Sequence, residues 1–126
     1  MAHVFYNPNP VQKLVGDCVI RAICKATDYP WEKVYTDITL KGFELCDMPS
    51  SNVVWAAYLK DQGFKRDIVP NECPACYTVN DFCEDHPEGI YILGTGTHVV
   101  TVEDGNFFDT WNSGDEVPIY FWQKEE

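Results

Sequence analysis

Four residues able to support thiol chemistry stand in order along the chain: Gln12, Cys18, His98 and Asp109. A cysteine attacks a carbonyl carbon as its thiolate, and it needs an imidazole to take the thiol proton and later protonate the leaving group. A third residue holds the imidazole tautomer, and a neutral side-chain amide can donate to a developing oxyanion. Gln12 precedes Cys18 by six residues in Gln12-Lys-Leu-Val-Gly-Asp-Cys18-Val-Ile-Arg-Ala-Ile. Cys18 lies where a glycine- and aspartate-containing turn gives way to an apolar, helix-periodic run. The thiol is therefore expected at the amino end of a helix, where partial positive charge and unpaired amides favour the anion.

Singly, each residue has an ordinary reading. Cys18 would pass as a small buried apolar residue, His98 as a satisfied strand residue, Asp109 as a turn carboxylate and Gln12 as a solvated loop residue. A hairpin joins two of them. Asp104-Gly105 reads as a two-residue turn between strands His98 to Glu103 and Asn106 to Thr110. Without a bulge, Glu103 pairs with Asn106, Val100 with Asp109 and His98 with Trp111, and paired residues share a sheet face. Asp109 becomes the diagonal neighbour of His98, at about 7 to 8 Å between backbones and within side-chain reach. Trp111 is placed to shield that contact from water.

Other elements must carry this arrangement. Asn7-Pro-Asn-Pro10 reads as an extended lead-in, since each proline lacks a donor and restricts its predecessor. From Cys18 to Thr27, apolar residues cover more than half a helical circumference and leave Arg21 and Lys25 on a narrow polar edge. Pro30 opens a second helix through Trp31, Val34, Tyr35 and Ile38, with Gly42 as its close. A third runs from Ser50 or Ser51 through Val54, Trp55, Tyr58 and Leu59 to Gly63. Lys65 to Val69 predicts a short strand. Thr78 and Asp81 form a capping box for a fourth helix, ended by Pro87 and Gly89. Ile90 to Gly94 and Pro118 to Trp122 complete the strands. Helices first and antiparallel strands second predict one α+β domain over residues 1–126, with the Cys18 helix packed on a C-terminal antiparallel sheet.

Size and composition fit that reading. With 126 residues, folding removes roughly two-thirds of the unfolded chain's surface from water, enough for a real core. Nine basic against twenty acidic residues give a net charge of −11, which repels phosphate backbones and anionic lipid. Nucleic-acid and membrane partners are not expected. The N-terminus lacks a basic segment followed by an apolar stretch, and no run of about eighteen apolar residues occurs. The chain reads as soluble and cytoplasmic, and its six cysteines as free thiols or metal ligands rather than disulfides.

The pattern resembles the papain-like cysteine peptidase superfamily, in which a glutamine precedes a helix-initiating cysteine by six residues and a histidine comes from a later sheet. The segment Gln12 to Ile23, with Asp17-Cys18 and Ala22, looks closest to the peptidases that trim double-glycine leader peptides. His98-Val-Val-Thr-Val102 is similar to their histidine strand, and Asp109-Thr110-Trp111 to the Asn-Ser-Trp element of papain-type enzymes. Val19 stands where leader peptidases usually carry glycine. The resemblance implies a papain-like fold, with Cys18 as nucleophile, His98 as general base and acid, Asp109 as the orienting residue and Gln12 as the oxyanion donor. It implies hydrolysis of a peptide, isopeptide or related amide bond in a peptide or protein substrate, through a thioester and without a cofactor.

Two other functions use the same residues. A papain-like binding or inhibitory protein would capture a partner without turnover, even with Cys18, His98 and Asp109 replaced by alanine. An acyl or amide transferase would differ from a hydrolase in product mass. Separately, Cys73-Pro-Ala-Cys76 with Cys83 and His86 has the ligand types of a small zinc site. Cys83 and His86 also share the helical stripe of Val79 and Phe82, where burial explains them. No metal is therefore assigned, and Cys24 and Cys46 are read as core packing residues.

Overall fold

The computed structural model describes residues 2–69 and 77–124. Along the chain run β1 (His3–Phe5), α1 (Cys18–Thr27), α2 (Trp31–Glu44), α3 (Asn52–Asp61), β2 (Phe64–Ile68), α4 (Val79–Asp85), β3 (Ile90–Gly94), β4 (Val99–Glu103), β5 (Asn106–Asp109) and β6 (Tyr120–Lys124). The class is α+β. A six-stranded mixed sheet has the order β1-β5-β4-β3-β6-β2. β1 runs parallel to β5, and every other neighbouring pair is antiparallel.

The β4–β5 hairpin forms as its turn dictates. Asp104 and Gly105 have φ of 50° and 81°, the positive values that a twisted two-residue connection requires. The ladder aligns Glu103 with Asn106 and Thr101 with Phe108. Strand alternation then divides the core. Ile92, Val99 and Trp122 pack with Ile23, Val34, Val54, Trp55 and Leu59 of α1, α2 and α3. Leu93, Val100, Val102 and Phe107 pack with Val79, Phe82 and Cys83 of α4. The three longer helices thus cover one sheet face and α4 covers part of the other.

α1 begins at Cys18 itself and lies against β4, β3 and β5. Ile23 is fully buried, which is worth about 1.5 to 3 kcal/mol relative to exposure. Thr101 adds a directional tie, its hydroxyl donating to the Ala22 carbonyl at 2.6 Å in a buried position. α3 is capped by Ser51, and the Thr78–Asp81 box caps α4.

Several expectations change. The sheet is not purely C-terminal and antiparallel, because β1 and β2 supply its two edges from earlier in the chain. β2 forms where Lys65 to Val69 predicts a strand, whereas β1, three residues paired on a single side, leaves little alternation to read in sequence. α2 continues past Gly42 to Glu44, and Gly42 is a packing position: a β-carbon there would stand 2.9 Å from the Asp47 carbonyl oxygen. Arg21 is buried rather than on a polar edge, and Cys46 is exposed rather than in the core. After Asn9 the lead-in folds into a tight loop, where the Asn9 side chain accepts from the Val11 and Lys13 amides at 3.0 and 3.2 Å. No helix among the described residues is long and apolar enough to cross a membrane.

Candidate active site

Cys18 is the first residue of α1, so its amide and those that follow lack partners within the helix. Asp17 occupies the N-cap position yet makes no side-chain cap. Its carboxylate instead accepts from Arg21 Nη1 at 2.6 Å and from Trp31 Nε1 at 2.8 Å. The first amide of the helix met by a backbone acceptor is that of Arg21, bonded to the Asp17 carbonyl at 2.8 Å. Among the described residues, no hydrogen-bond acceptor meets the N–H groups of Cys18, Val19 and Ile20.

His98 immediately precedes β4 and reaches both neighbours that thiol chemistry needs. Its Nε2–H donates to Asp109 Oδ2 at 2.6 Å. The ring also hydrogen-bonds Cys18, which places Nδ1 toward the sulfur, and the Val99 amide donates to the same sulfur. Trp111 lies over the pair with ring centroids 4.9 Å apart at 47°. The contact forms for a different reason than a shared sheet face. Phe107 and Val100 point toward α4, so strict alternation would send Asp109 and His98 to that side, away from Cys18. The β4–β5 ladder closes at Thr101 and Phe108; His98 precedes β4, while Asp109, the last residue of β5 and paired with Phe5 of β1, holds its carboxylate against Arg21 of α1.

Asp109 is fully buried, and its carboxylate accepts four hydrogen bonds. Oδ2 takes His98 and the Ser113 hydroxyl, each at 2.6 Å. Oδ1 takes Arg21 Nη2 at 2.9 Å and the Thr110 amide at 2.8 Å. Burial works against its charge, but the His98 and Ser113 bonds and the charges of His98 and Arg21 hold the carboxyl below its usual range. For His98, burial opposes the imidazolium, yet the Asp109 and Cys18 bonds and charges push it up to about 9. For Cys18, burial opposes the thiolate, and the His98 bond, the Val99 amide and the charges of His98 and Arg21 bring the thiol below its ordinary value. Cys24 and Cys83 behave oppositely: burial raises them to about 12 and about 11. Of these three thiols, Cys18 is the one held toward ionisation.

Cys18 and His98 open onto a cleft of about 370 Å³. Gly16 and Gly96 flank the pair, and a β-carbon on either would meet nothing within 4 Å. Tyr35, Ile38 and Thr39 of α2 and Tyr120 of β6 also line the cleft. Gln12 is not among the lining residues. It is exposed, in a left-handed conformation at φ 58°, and its Nε2 donates to the carbonyls of Asn9 at 3.1 Å and Asn7 at 3.4 Å. Cys18, His98 and Asp109 are brought together; Gln12 braces the preceding loop.

Sequence reading missed Arg21, Asp17 and Ser113. A trace existed, because Asp17 and Arg21 have the i,i+4 spacing of a helical ion pair flanking the cysteine. Cys73 and Cys76 lie outside the described residues. Cys83 packs with Val79 and Phe82, and His86 stacks on Phe82 while its Nδ1–H donates to the Phe82 carbonyl at 2.9 Å. No group of three or more potential metal ligands assembles among the described residues. No family model, curated protein or solved structure gives a significant match to the chain.

Proposed function

We propose that this chain is a cysteine-dependent hydrolase of peptide, isopeptide or related amide bonds, related in kind to papain-like peptidases. The observation that carries the reading is the continuous Cys18–His98–Asp109 hydrogen-bond chain opening onto a cleft. The Cys18 thiolate attacks the amide carbon, and electrons move to the carbonyl oxygen, which meets the leading amides of α1. His98 gives its Nδ1 proton to the departing nitrogen as the C–N bond breaks, leaving a thioester on Cys18 and a neutral imidazole. Water then loses a proton to His98 and adds to the thioester; collapse expels the thiolate, releases the carboxylic acid and restores the pair. Asp109 keeps Nε2 protonated throughout, so Nδ1 is the nitrogen that cycles.

An electrophilic amide-type probe tests this. The expected result is selective modification of Cys18 near neutral pH, abolished in Cys18→Ala and strongly reduced in His98→Ala. Failure to label Cys18 selectively, or amide turnover that persists in Cys18→Ala, refutes the proposal. Peptide capture without turnover in the alanine variants would point to a binding protein instead.

A further inference from the structure

We infer that Arg21 is the positioning residue of this site, its guanidinium fastening the start of α1 to the end of β5 so that Cys18 meets His98. The inference rests on the thiol chemistry proposed above. Cys18 and Arg21 are three residues apart on α1 and therefore neighbours on one helical face. Arg21 holds Asp17 Oδ1 with Nη1 at 2.6 Å and Asp109 Oδ1 with Nη2 at 2.9 Å, with all three residues buried. The other Asp109 oxygen orients His98. One side chain thus spans from the helix that carries the nucleophile to the carboxylate that aims the base.

Formal charge alternates along this path: Asp17 negative, Arg21 positive, Asp109 negative, His98 positive and Cys18 negative. Removing Arg21 leaves two buried carboxylates without the cation between them, and Asp109 must then either protonate or rely on His98 as its remaining cationic partner. Either response changes the ring that activates the thiol. Stability alone is a weak reason for such an arrangement, since a buried ion pair seldom outperforms well-packed apolar side chains. The geometry also demands arginine. Two terminal nitrogens in a rigid plane can hold two carboxylates at once, whereas a lysine ammonium is a single point.

The remaining charged groups around Arg21 leave this role to it. From β1, His3 Nε2 donates to the Asp109 backbone carbonyl at 2.9 Å, not to its carboxylate. From α2, Trp31 Nε1 occupies the second Asp17 oxygen. Lys25, farther along α1, pairs with Glu103 of β4 at 3.5 Å and lies over the Phe108 ring. The Thr101 bond to Ala22 ties α1 to β4 but touches neither carboxylate nor imidazole.

The test uses the full chain with Arg21→Lys and Arg21→Gln, each checked for cooperative melting and native near-ultraviolet dichroism. The readout is the rate of Cys18 alkylation by iodoacetamide across pH, with modified cysteines assigned by peptide mapping. In the parent, reactivity should persist well below the ordinary thiol range. Folded Arg21→Gln should lose at least about tenfold at pH 6, as expected for a shift of one pH unit or more toward an ordinary thiol. Arg21→Lys should recover part of that loss. If neither variant folds, Asp17→Asn, which loosens the anchor of the guanidinium, should give a smaller loss in the same direction. Folded variants with the parent's profile overturn the inference, as does an ordinary thiol profile in the parent itself. Amide turnover is measured separately: its absence with the alkylation behaviour intact refutes the hydrolase reading and leaves Arg21 in place.

Discussion

Replacing Asp109 by asparagine isolates charge from shape at the centre of the site. The amide oxygen can stay on the side of Arg21 and the Thr110 amide, so its NH₂ must face His98 Nε2 and Ser113 Oγ. The Ser113 hydroxyl can rotate to accept, but His98 Nε2 can accept only by giving up its proton. His98 is at about 9 in the parent, through its bonds and charge interactions with Asp109 and Cys18 overcoming burial. Without the carboxylate it returns toward its ordinary value of about 6.5, and at pH 7.5 the imidazolium fraction falls from nearly complete to about one-tenth. The thiolate loses its counter-ion in the same proportion. Arg21 also loses one of its two buried anions, a cost of about 3 kcal/mol. For a domain of this size that lowers the melting temperature by about 10 °C or more without unfolding it at 25 °C. Thermal melts and iodoacetamide kinetics at pH 7.5 measure both effects. A variant that melts within about 2 °C of the parent and alkylates at the parent's rate would show that the Asp109 charge does not govern this site.

Gln12→Ala should change acylation by the amide probe less than about threefold, because its amide is bonded to the Asn9 carbonyl; a loss of about a hundredfold would instead mark an oxyanion donor that swings into the cleft. Gly94→Ala drives a β-carbon into the Tyr120 ring and should displace that ring from the cleft wall, costing about 1 to 3 kcal/mol and altering probe kinetics. Unchanged melting and labelling would show that Tyr120 yields freely. Acid stability should also respond. The folded Asp109 carboxyl lies below its unfolded value, so its stabilising contribution is complete above the ordinary carboxylate range and is lost as pH falls from that range through the lowered folded value. The melting gap between parent and Asp109→Asn should narrow as pH drops from about 5 to about 2.5, and a constant gap would refute that linkage.

Local rules made part of this protein legible in its sequence. The glycine–aspartate turn and apolar period fix the start of α1 at Cys18, Asp104-Gly105 selects a two-residue hairpin, and Thr78 with Asp81 caps α4. Each depends on neighbours within a few residues, where backbone propensity and side-chain capping decide the outcome. β1 was not legible, because three residues gain their strand character only from pairing with β5. The buried state of Arg21 was not legible either, since one of its two anions lies 88 residues away.

The sequence by itself therefore determined which chemical groups are present and on which local elements they ride: a thiol at a helix start, and an imidazole and a carboxylate joined by a hairpin. Tertiary structure alone decided that they meet. The β4–β5 ladder ends at Thr101 and Phe108, His98 stands just before β4, and Arg21 holds the carboxylate of Asp109, at the end of β5, toward α1. The same packing turned Gln12 to the Asn9 loop and left the first amides of α1 beside the thiol. Such outcomes depend on burial and on charge compensation between distant segments, which exist only once the chain has folded.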